Sequence, residues 1–187
     1  MAKTAVQWVA RPRLPDDHYV SSTIYTDPNI FQEEHQKIFG HTWKFVCHES
    51  ELPLPGDFRT VEHVGKPLLV TRGQNGSIQT FFNACPHRGA KLVNEPRGNA
   101  KNFTCFFHLW SFNNQGECVS ITAPKGYEEC GLTPKDCGLR KVKTAVKLGM
   151  VFVNLDDNAE DFEKNVGDIM ACLEEPMGTV PLEVFHI

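Results

Sequence analysis

Two short stretches of the sequence, CPH at 85–87 and CFFH at 105–108, decide how the whole chain is interpreted. Each stretch contains one cysteine and one histidine, and each follows a segment whose pattern predicts a β-strand. The four side chains are therefore expected at the tips of two loops. Thiolates and imidazoles are common ligands of transition metals. The pattern predicts a metal centre shared by the two loops.

Two kinds of metal centre fit this set of ligands. In a two-iron, two-sulfide cluster, Cys85 and Cys105 hold one iron as thiolates, while His87 and His108 hold the other through neutral imidazole nitrogens. A structural zinc ion also accepts two cysteines and two histidines, but zinc sites usually pair cysteine with cysteine and histidine with histidine. Here each pair is mixed, which favours the [2Fe-2S] cluster. A zinc site and a chance pairing of unrelated core residues remain the alternatives.

The segments around these stretches predict a mainly β fold with flanking helices. Apolar and polar residues alternate from Trp43 onward, and turn residues such as those at 74–76 and 113–116 separate the runs. Residues 124–138 are predicted to form a loop. The predicted strands are 43–47, 58–64, 66–72, 77–84, 102–105, 118–121, 139–148 and 150–155.

Helices are predicted on both sides of the strands. The first covers 28–39, with Asp27 as its N-terminal cap and Gly40 as its end. The second covers 159–173 and is expected to begin near 156–158. The order of elements is therefore helix, a series of short strands, and helix.

Composition and charge argue against several classes of protein. The 187 residues carry a net charge of −4, so the chain lacks the basic surface typical of nucleic-acid-binding proteins. The longest apolar stretch, 148–153, is far too short to span a membrane, and the N-terminal MAKTAVQW lacks the apolar region of a secretory signal. The seven cysteines are an odd number. Together with the missing signal, they indicate the cytoplasm and free or metal-bound thiols.

Around the two stretches, the sequence resembles the Rieske domain of aromatic-ring-hydroxylating oxygenase α subunits. The motif is carried by CPHRGA at 85–90 and CFFHLWSF at 105–112. Segments 24–43, 42–58 and 138–156 are similar to the N-terminal helix, the first strand and the closing strands of that family. The resemblance implies a Rieske-type antiparallel β-sandwich or barrel with two cluster-binding loops. The sequence looks most like the N-terminal half of α subunits from dioxygenases of the terephthalate, anthranilate or benzoate type.

The resemblance also assigns the ligands and divides the chain. The family usually has glycine after the second histidine, whereas this chain has Leu109, which leaves the ligands intact. The implied ligands of a Rieske-type [2Fe-2S] cluster are Cys85, His87, Cys105 and His108. The implied parts are an N-terminal extension and helix at 1–41, a Rieske domain at 42–156 and the helical start of a catalytic domain at 157–187.

The respiratory Rieske proteins, which the pattern also resembles, have features that this sequence lacks. Those proteins bridge their two cluster loops with cysteines, at positions that here hold Ala90 and Phe107. They also place hydroxyl groups near the cluster, where this chain has Trp110 and Phe112. Hydrogen bonds to cluster sulfur stabilise the reduced state. Their absence predicts a reduction potential at the lower end of the Rieske range, about −150 mV.

No catalytic residue is predicted in this chain. The oxygenases that it resembles activate O2 at a mononuclear iron held by two histidines and a carboxylate, and the family's H-x4-H pattern is absent here. We therefore expect the electron-transfer portion of a longer α subunit, inactive by itself, with the mononuclear Fe(II) in a further domain. The resemblance implies an NADH-dependent reductase or a ferredoxin as electron donor. It also implies a homotrimer of α subunits, with or without β subunits.

A free-standing Rieske ferredoxin is the alternative function. Such an electron carrier needs little more than the central strands and the two loops. The helix at 28–39 and the tail after 156 are surplus for a carrier, whereas an α subunit contains comparable segments. The additional segments therefore favour the oxygenase. The resemblance implies that its reaction is the O2-dependent hydroxylation of an aromatic substrate. In the subunits that the sequence looks most like, this substrate is an aromatic carboxylate.

Overall fold

The strands expected from the alternating pattern pair with one another in the structure. The structure is a computed structural model that describes residues 20–178, 180 and 182–184. Residues 1–19, which belong to the predicted N-terminal extension, lie outside the described residues. Every strand pairing in the described part is antiparallel. The strands there are β1 (Lys44–His48), β2 (Asp57–His63), β3 (Lys66–Arg72), β4 (Ile78–Phe82), β5 (Arg97–Asn99), β6 (Asn102–Thr104), β7 (Ser111–Asn113), β8 (Cys118–Ser120), β9 (Lys141–Lys147) and β10 (Met150–Asn154).

The strands form two sheets that enclose the main core. The larger sheet has seven strands in the order β1-β10-β9-β4-β3-β2-β5, and the smaller has three in the order β6-β7-β8. Phe58 and Phe81 of the larger sheet share one buried cluster with Phe103 and Phe112 of the smaller sheet. The rings of Phe58 and Phe103 meet edge-on with centroids 5.4 Å apart. The predicted fold class, mainly antiparallel β with flanking helices, is confirmed.

The predicted turn at 113–116 connects β7 to β8 and presses them against the larger sheet. The side-chain oxygen of Asn113 accepts hydrogen bonds from the backbone N–H groups of Gln115 and Glu117, at 3.0 and 2.9 Å. Gly116 follows with φ of +81°, and a Cβ atom there would overlap the ring of Phe81. Only glycine meets both requirements, since it accepts a positive φ and has no side chain. This turn therefore fixes the distance between the two sheets.

The first predicted helix is present but changes its winding. Helix α1 covers Thr23–Thr26 and α2 covers Pro28–Glu34, and a π-helical turn continues over His35–Phe39. Asp27 caps α2, since its carboxylate accepts the backbone N–H of Asn29 at 2.7 Å. The helical segment ends at Gly40, as predicted.

The second predicted helix begins later than the sequence indicated. Helix α3 covers Phe162–Met177 and is capped by Asp161, whose carboxylate accepts the backbone N–H of Glu163 at 3.0 Å. The expected start near 156–158 is wrong because the Asp156 carboxylate forms a turn of its own there, accepting the backbone N–H of Asn158 at 2.8 Å. Among the described residues, no helix combines the length and the apolar character needed to cross a membrane.

Helix α3 is attached to the larger sheet by both apolar and charged contacts. The ring of Phe162 lies 5.2 Å from that of Trp43 and 4.9 Å from that of Phe152. The ammonium group of Lys147, on β9, lies 2.9 Å from a carboxylate oxygen of Glu174. Helix α3 therefore packs on the β-sheet instead of extending away from it.

Strand β5, like β7, was not among the strands predicted from the sequence. Its three residues are exposed and show no alternation of apolar and polar side chains. In the described part of the chain, they pair with β2. Gly98 lies opposite Phe58 in that pairing, and a Cβ atom at Gly98 would approach the Phe58 ring within 2.9 Å. The predicted loop at 124–138 contains two short 3-10 turns, at Pro124–Cys130 and Pro134–Asp136.

Candidate metal centre

The first cluster loop, residues 85–90, is closed by two backbone hydrogen bonds of one cysteine. The N–H of Cys85 donates to the carbonyl of Ala90, and the N–H of Gly89 donates to the carbonyl of Cys85, both at 2.8 Å. Gly89 has φ of +71°, a conformation that glycine adopts without strain. The loop thus turns back on itself directly after β4 and presents His87 at its tip.

The second cluster loop, residues 105–110, repeats this arrangement. The N–H of Cys105 donates to the carbonyl of Trp110 at 2.8 Å, and the N–H of Leu109 donates to the carbonyl of Cys105 at 2.9 Å. Leu109 takes the place of Gly89 and has φ of +58°. The departure noted in the sequence therefore leaves the loop intact, because leucine adopts the left-handed conformation that glycine would adopt more easily.

The two cysteines lie together beneath the loops. Both Cys85 and Cys105 are buried, and both belong to the core cluster between the sheets. Burial raises the pKa of the Cys85 thiol to about 11, and the neighbouring Cys105 thiol, within hydrogen-bonding reach, adds to the rise. Without a metal, the Cys85 thiol keeps its proton. Binding of iron as a thiolate must release this proton, because only the deprotonated sulfur is a ligand.

The two histidines face one another nearer the surface. The ring centroids of His87 and His108 are 4.5 Å apart, with planes at 72°. The Nδ1 atom of His87 is buried and has no hydrogen-bond partner, which costs free energy unless something binds it. Burial also lowers the pKa of His87, with smaller effects of the nearby His108 and Arg88. A neutral imidazole with an unpartnered nitrogen is the form that binds a metal.

The four side chains therefore form a pair of thiols and a pair of imidazoles. Within the described residues, no three histidine, cysteine, aspartate or glutamate side chains gather as they would around one metal ion. A Rieske-type cluster instead takes two thiolates on one iron and two imidazoles on the other. The donor set and the unpartnered Nδ1 of His87 fit such a cluster.

A buried amide anchors the first cluster loop and was missed by the sequence analysis. Asn83 is fully buried, and its side chain donates to the carbonyl of Val93 at 2.7 Å. Its carboxamide oxygen accepts the backbone N–H groups of Leu92 and Val93, at 3.2 and 2.9 Å. The one signal in the sequence is an asparagine at the end of a strand, two residues before Cys85.

Two aromatic side chains complete the surroundings of His87. The ring of Trp110 stacks on the imidazole, with centroids 4.7 Å apart and an angle of 9°. The hydroxyl oxygen of Tyr127 lies 3.4 Å from Nε2 of His87. Tyr127 was not predicted to belong to the site, because it lies in a segment that local patterns mark only as a loop.

The tip of the two loops is open to solvent and apolar. The side chains of Phe106, Phe107 and Leu109 are 69%, 55% and 57% exposed. All seven cysteines are free thiols in the structure. The candidate centre is therefore buried on its cysteine side and accessible on its histidine side.

Comparison with known proteins identifies the family. The model of the Rieske [2Fe-2S] domain matches residues 42–143. The α subunit of 2-aminobenzenesulfonate 2,3-dioxygenase from Alcaligenes sp is 40% identical over 186 residues, which cover 99% of this chain and 47% of that relative. The hydroxylase α subunit of methanesulfonate monooxygenase from Methylosulfonomonas methylovora is 41% identical over 196 residues, again covering 99% of this chain and 47% of the relative.

A solved structure agrees with these matches. Naphthalene 1,2-dioxygenase from Rhodococcus sp., crystallised with indole, superimposes with a TM-score of 0.79 at 34% identity, over 85% of this chain and 36% of that one. This chain spans about half the length of the curated relatives that it matches. The two cluster loops, the antiparallel sheets and these similarities together show that the chain belongs to the Rieske [2Fe-2S] domain family, and the two curated relatives named above are α subunits of oxygenases.

Proposed function

We propose that this chain is the electron-transfer part of a ring-hydroxylating oxygenase α subunit. In it, Cys85 and Cys105 bind one iron of the cluster, and His87 and His108 bind the other. The observation that carries this proposal is a pair of buried thiols and a pair of neighbouring imidazoles on the same two loops, with His87 Nδ1 buried and unpartnered. The bound cluster supplies one-electron reduction and oxidation.

The residues around the site support a direction for electron transfer. The cysteines are enclosed by the core, whereas His87 and His108 are only partly buried. Electrons therefore enter and leave on the histidine side. The exposed rings of Phe106 and Phe107 can exclude water when a partner binds at this tip, as aromatic side chains commonly do at interfaces.

The partners and the wider protein are part of the same proposal. An NADH-dependent reductase or a ferredoxin donates electrons in the cytoplasm, and a mononuclear iron outside this chain receives them. Residues 42–156 act as the Rieske domain, between the N-terminal extension and helix (1–41) and the helical start of the catalytic domain (157–187). The α subunits form a homotrimer, and this chain alone does not hydroxylate a substrate.

The packing of α3 supports an α subunit over a free-standing ferredoxin. A carrier needs only the two loops and the sheets that hold them. Here Phe162 packs on Trp43 and Phe152, and Glu174 pairs with Lys147. The segment after residue 156 is thus attached to the Rieske sheet, as expected if it continues into another domain.

The proposed substrate is a small molecule with an acidic group, most simply an aromatic sulfonate or carboxylate. Two of the most similar relatives are named for 2-aminobenzenesulfonate and methanesulfonate. The N-terminal half of such a subunit, which this chain represents, also resembles that of α subunits acting on aromatic carboxylates. The pocket itself belongs to the oxygen-activating part of such an enzyme, so a whole oxygenase with this Rieske part must be assayed on both substrate types.

The proposal is tested by the metal content of the purified chain and its variants. The wild type is expected to contain iron and acid-labile sulfide in equal amounts. Cys105→Ser should lose both, whereas Cys172→Ser, which alters an exposed thiol outside the site, should keep both. His108→Ala should also lose the cluster, with His35→Ala as its control. A complete cluster in Cys105→Ser, or zinc in place of iron in the wild type, would contradict the proposal.

A further inference from the structure

One aromatic side chain beside His87 comes from outside both cluster loops. Tyr127 lies in the 3-10 turn at Pro124–Cys130, and its hydroxyl oxygen is 3.4 Å from Nε2 of His87. Its ring meets the imidazole edge-on, with centroids 6.3 Å apart, and meets the ring of Trp110 in the same way at 5.7 Å. The hydroxyl is therefore placed at the nitrogen of His87 opposite to the buried, unpartnered Nδ1.

We propose that Tyr127 is a positioning residue for the cluster. Its hydroxyl oxygen accepts the Nε2–H of His87, which directs Nδ1 toward the iron and makes the imidazole a stronger ligand. This inference rests on the proposed function of His87 as a ligand, and it adds a residue that tunes the reduction potential of the cluster.

The direction of this hydrogen bond follows from the two nitrogens of the ring. A neutral imidazole has one N–H and one nitrogen with a free lone pair. The buried Nδ1 of His87 has no protein partner, so it is the nitrogen that offers its lone pair to iron. The proton is then on Nε2, and the hydroxyl oxygen of Tyr127 is its acceptor.

The surroundings hold Tyr127 in this place. Its side chain is partly buried and packs against the core cluster between the sheets. Its backbone carbonyl accepts a hydrogen bond from the thiol of Cys130 at 3.1 Å, which connects Tyr127 to the last residue of the turn. The parallel stacking of Trp110 on His87 fixes the plane of the imidazole, and Tyr127 fixes its rotation within that plane.

The hydrogen bond between His87 and Tyr127 affects the reduction potential of the cluster. A group that accepts the outer N–H of a metal-bound histidine raises the basicity of the ligand. A more basic ligand stabilises the oxidised iron more than the reduced iron, so removal of the acceptor should favour reduction. Tyr127→Phe is therefore expected to shift the reduction equilibrium by up to about tenfold toward the reduced cluster, which is about 59 mV for one electron.

The test uses the full iron-loaded chain and a matched control. Tyr127→Phe removes only the hydroxyl, and Tyr25→Phe makes the same change on an exposed side chain of α1. Iron content and the midpoint potential at one fixed pH are measured for both variants and the wild type. We expect unchanged iron in all three proteins and a higher potential in Tyr127→Phe alone.

The outcomes separate this inference from the proposed function. A wild-type chain without an iron–sulfur redox wave would overturn both. A normal wave with the same or a lower potential in Tyr127→Phe would overturn the role of Tyr127 alone. If Tyr127→Phe fails to hold iron, 3-fluorotyrosine at position 127 keeps the ring and weakens the oxygen as an acceptor. At a pH where this phenol is neutral, the reduction equilibrium should shift toward the reduced cluster by less than tenfold, and an unchanged potential would overturn the inference.

Discussion

The two cluster loops reach the same backbone arrangement from different residues. The first (85–90) has its histidine at the third position and glycine at the fifth, whereas the second (105–110) has histidine at the fourth position and leucine at the fifth. In both loops, the N–H and the carbonyl of the cysteine close the same two hydrogen bonds. The backbone therefore tolerates a shift of the histidine by one position. The shift decides instead where each imidazole points, and it allows the two rings to meet.

The loops also differ in how they are attached to the rest of the fold. Asn83, buried beside the first loop, binds three backbone groups of the segment that follows that loop. The second loop is flanked by Thr104 and Ser111, whose exposed hydroxyl oxygens lie 3.0 Å apart across the hairpin. The position of the first loop is thus held by hydrogen bonds in the core, whereas the position of the second loop is held by its own hairpin of β6 and β7.

The largest expected effect comes from moving a histidine within the shared backbone arrangement. The double variant Phe107→His with His108→Phe gives the second loop the C-x-H spacing of the first, with the same composition. Because the imidazole is then attached to a different residue of the loop, it no longer points to the same place. We therefore expect the variant to lose its iron, which is measured as iron content per chain. A complete cluster in this variant would mean that the position of the histidine does not determine the site.

The next largest effect concerns the buried anchor of the first loop. Asn83→Ala leaves two backbone N–H groups and one carbonyl without partners, and each such buried group costs about 1–3 kcal/mol. We expect the free energy of unfolding of the metal-free chain to fall by about 3 kcal/mol, measured by urea denaturation. Asn94→Ala, at an exposed position, is the control and should change little. Equal values for the two variants would contradict the role of Asn83.

A smaller effect is expected at the fifth position of each loop, where φ is positive. Gly89 has open space around it, so Gly89→Ala adds only backbone strain, about 1 kcal/mol of lost stability. Leu109→Gly removes that strain but makes the unfolded chain more flexible, so it should stabilise by only about 0.5 kcal/mol. Thermal unfolding of the metal-free variants measures whether Gly89→Ala lowers the stability and whether Leu109→Gly raises it. Stabilisation by Gly89→Ala would show that the two positions are not equivalent.

The smallest effect is expected at the exposed hydroxyl pair beside the second loop. Ser111→Ala removes one partner of Thr104, but solvent can replace the lost hydrogen bond at this exposed pair. The free energy of unfolding should therefore change by less than about 0.5 kcal/mol. A loss as large as that of Asn83→Ala would mean that the second loop depends on this pair as strongly as the first depends on its buried amide.

Much of the fold was predictable because its signals are local. The alternation of apolar and polar residues indicated β3 within its observed bounds, and the asparagine and glycine at 113–116 indicated a turn. Strand β5 was missed because its exposed residues pair only where Phe58 and Gly98 meet. The start of α3 was misplaced because two aspartates can cap a helix, and the one at 156 forms a separate turn.

The sequence by itself determined the chemical types of the candidate ligands, their distribution over two loops and the family of the chain, because these depend on short spacings that are visible without a structure. Only the tertiary structure decided which other groups touch the site. The 3-10 turn that carries Tyr127 lies far along the chain from His87, and packing of the turn against the core brings the two side chains together. Such contacts depend on how the sheets and turns pack, and no local pattern encodes them.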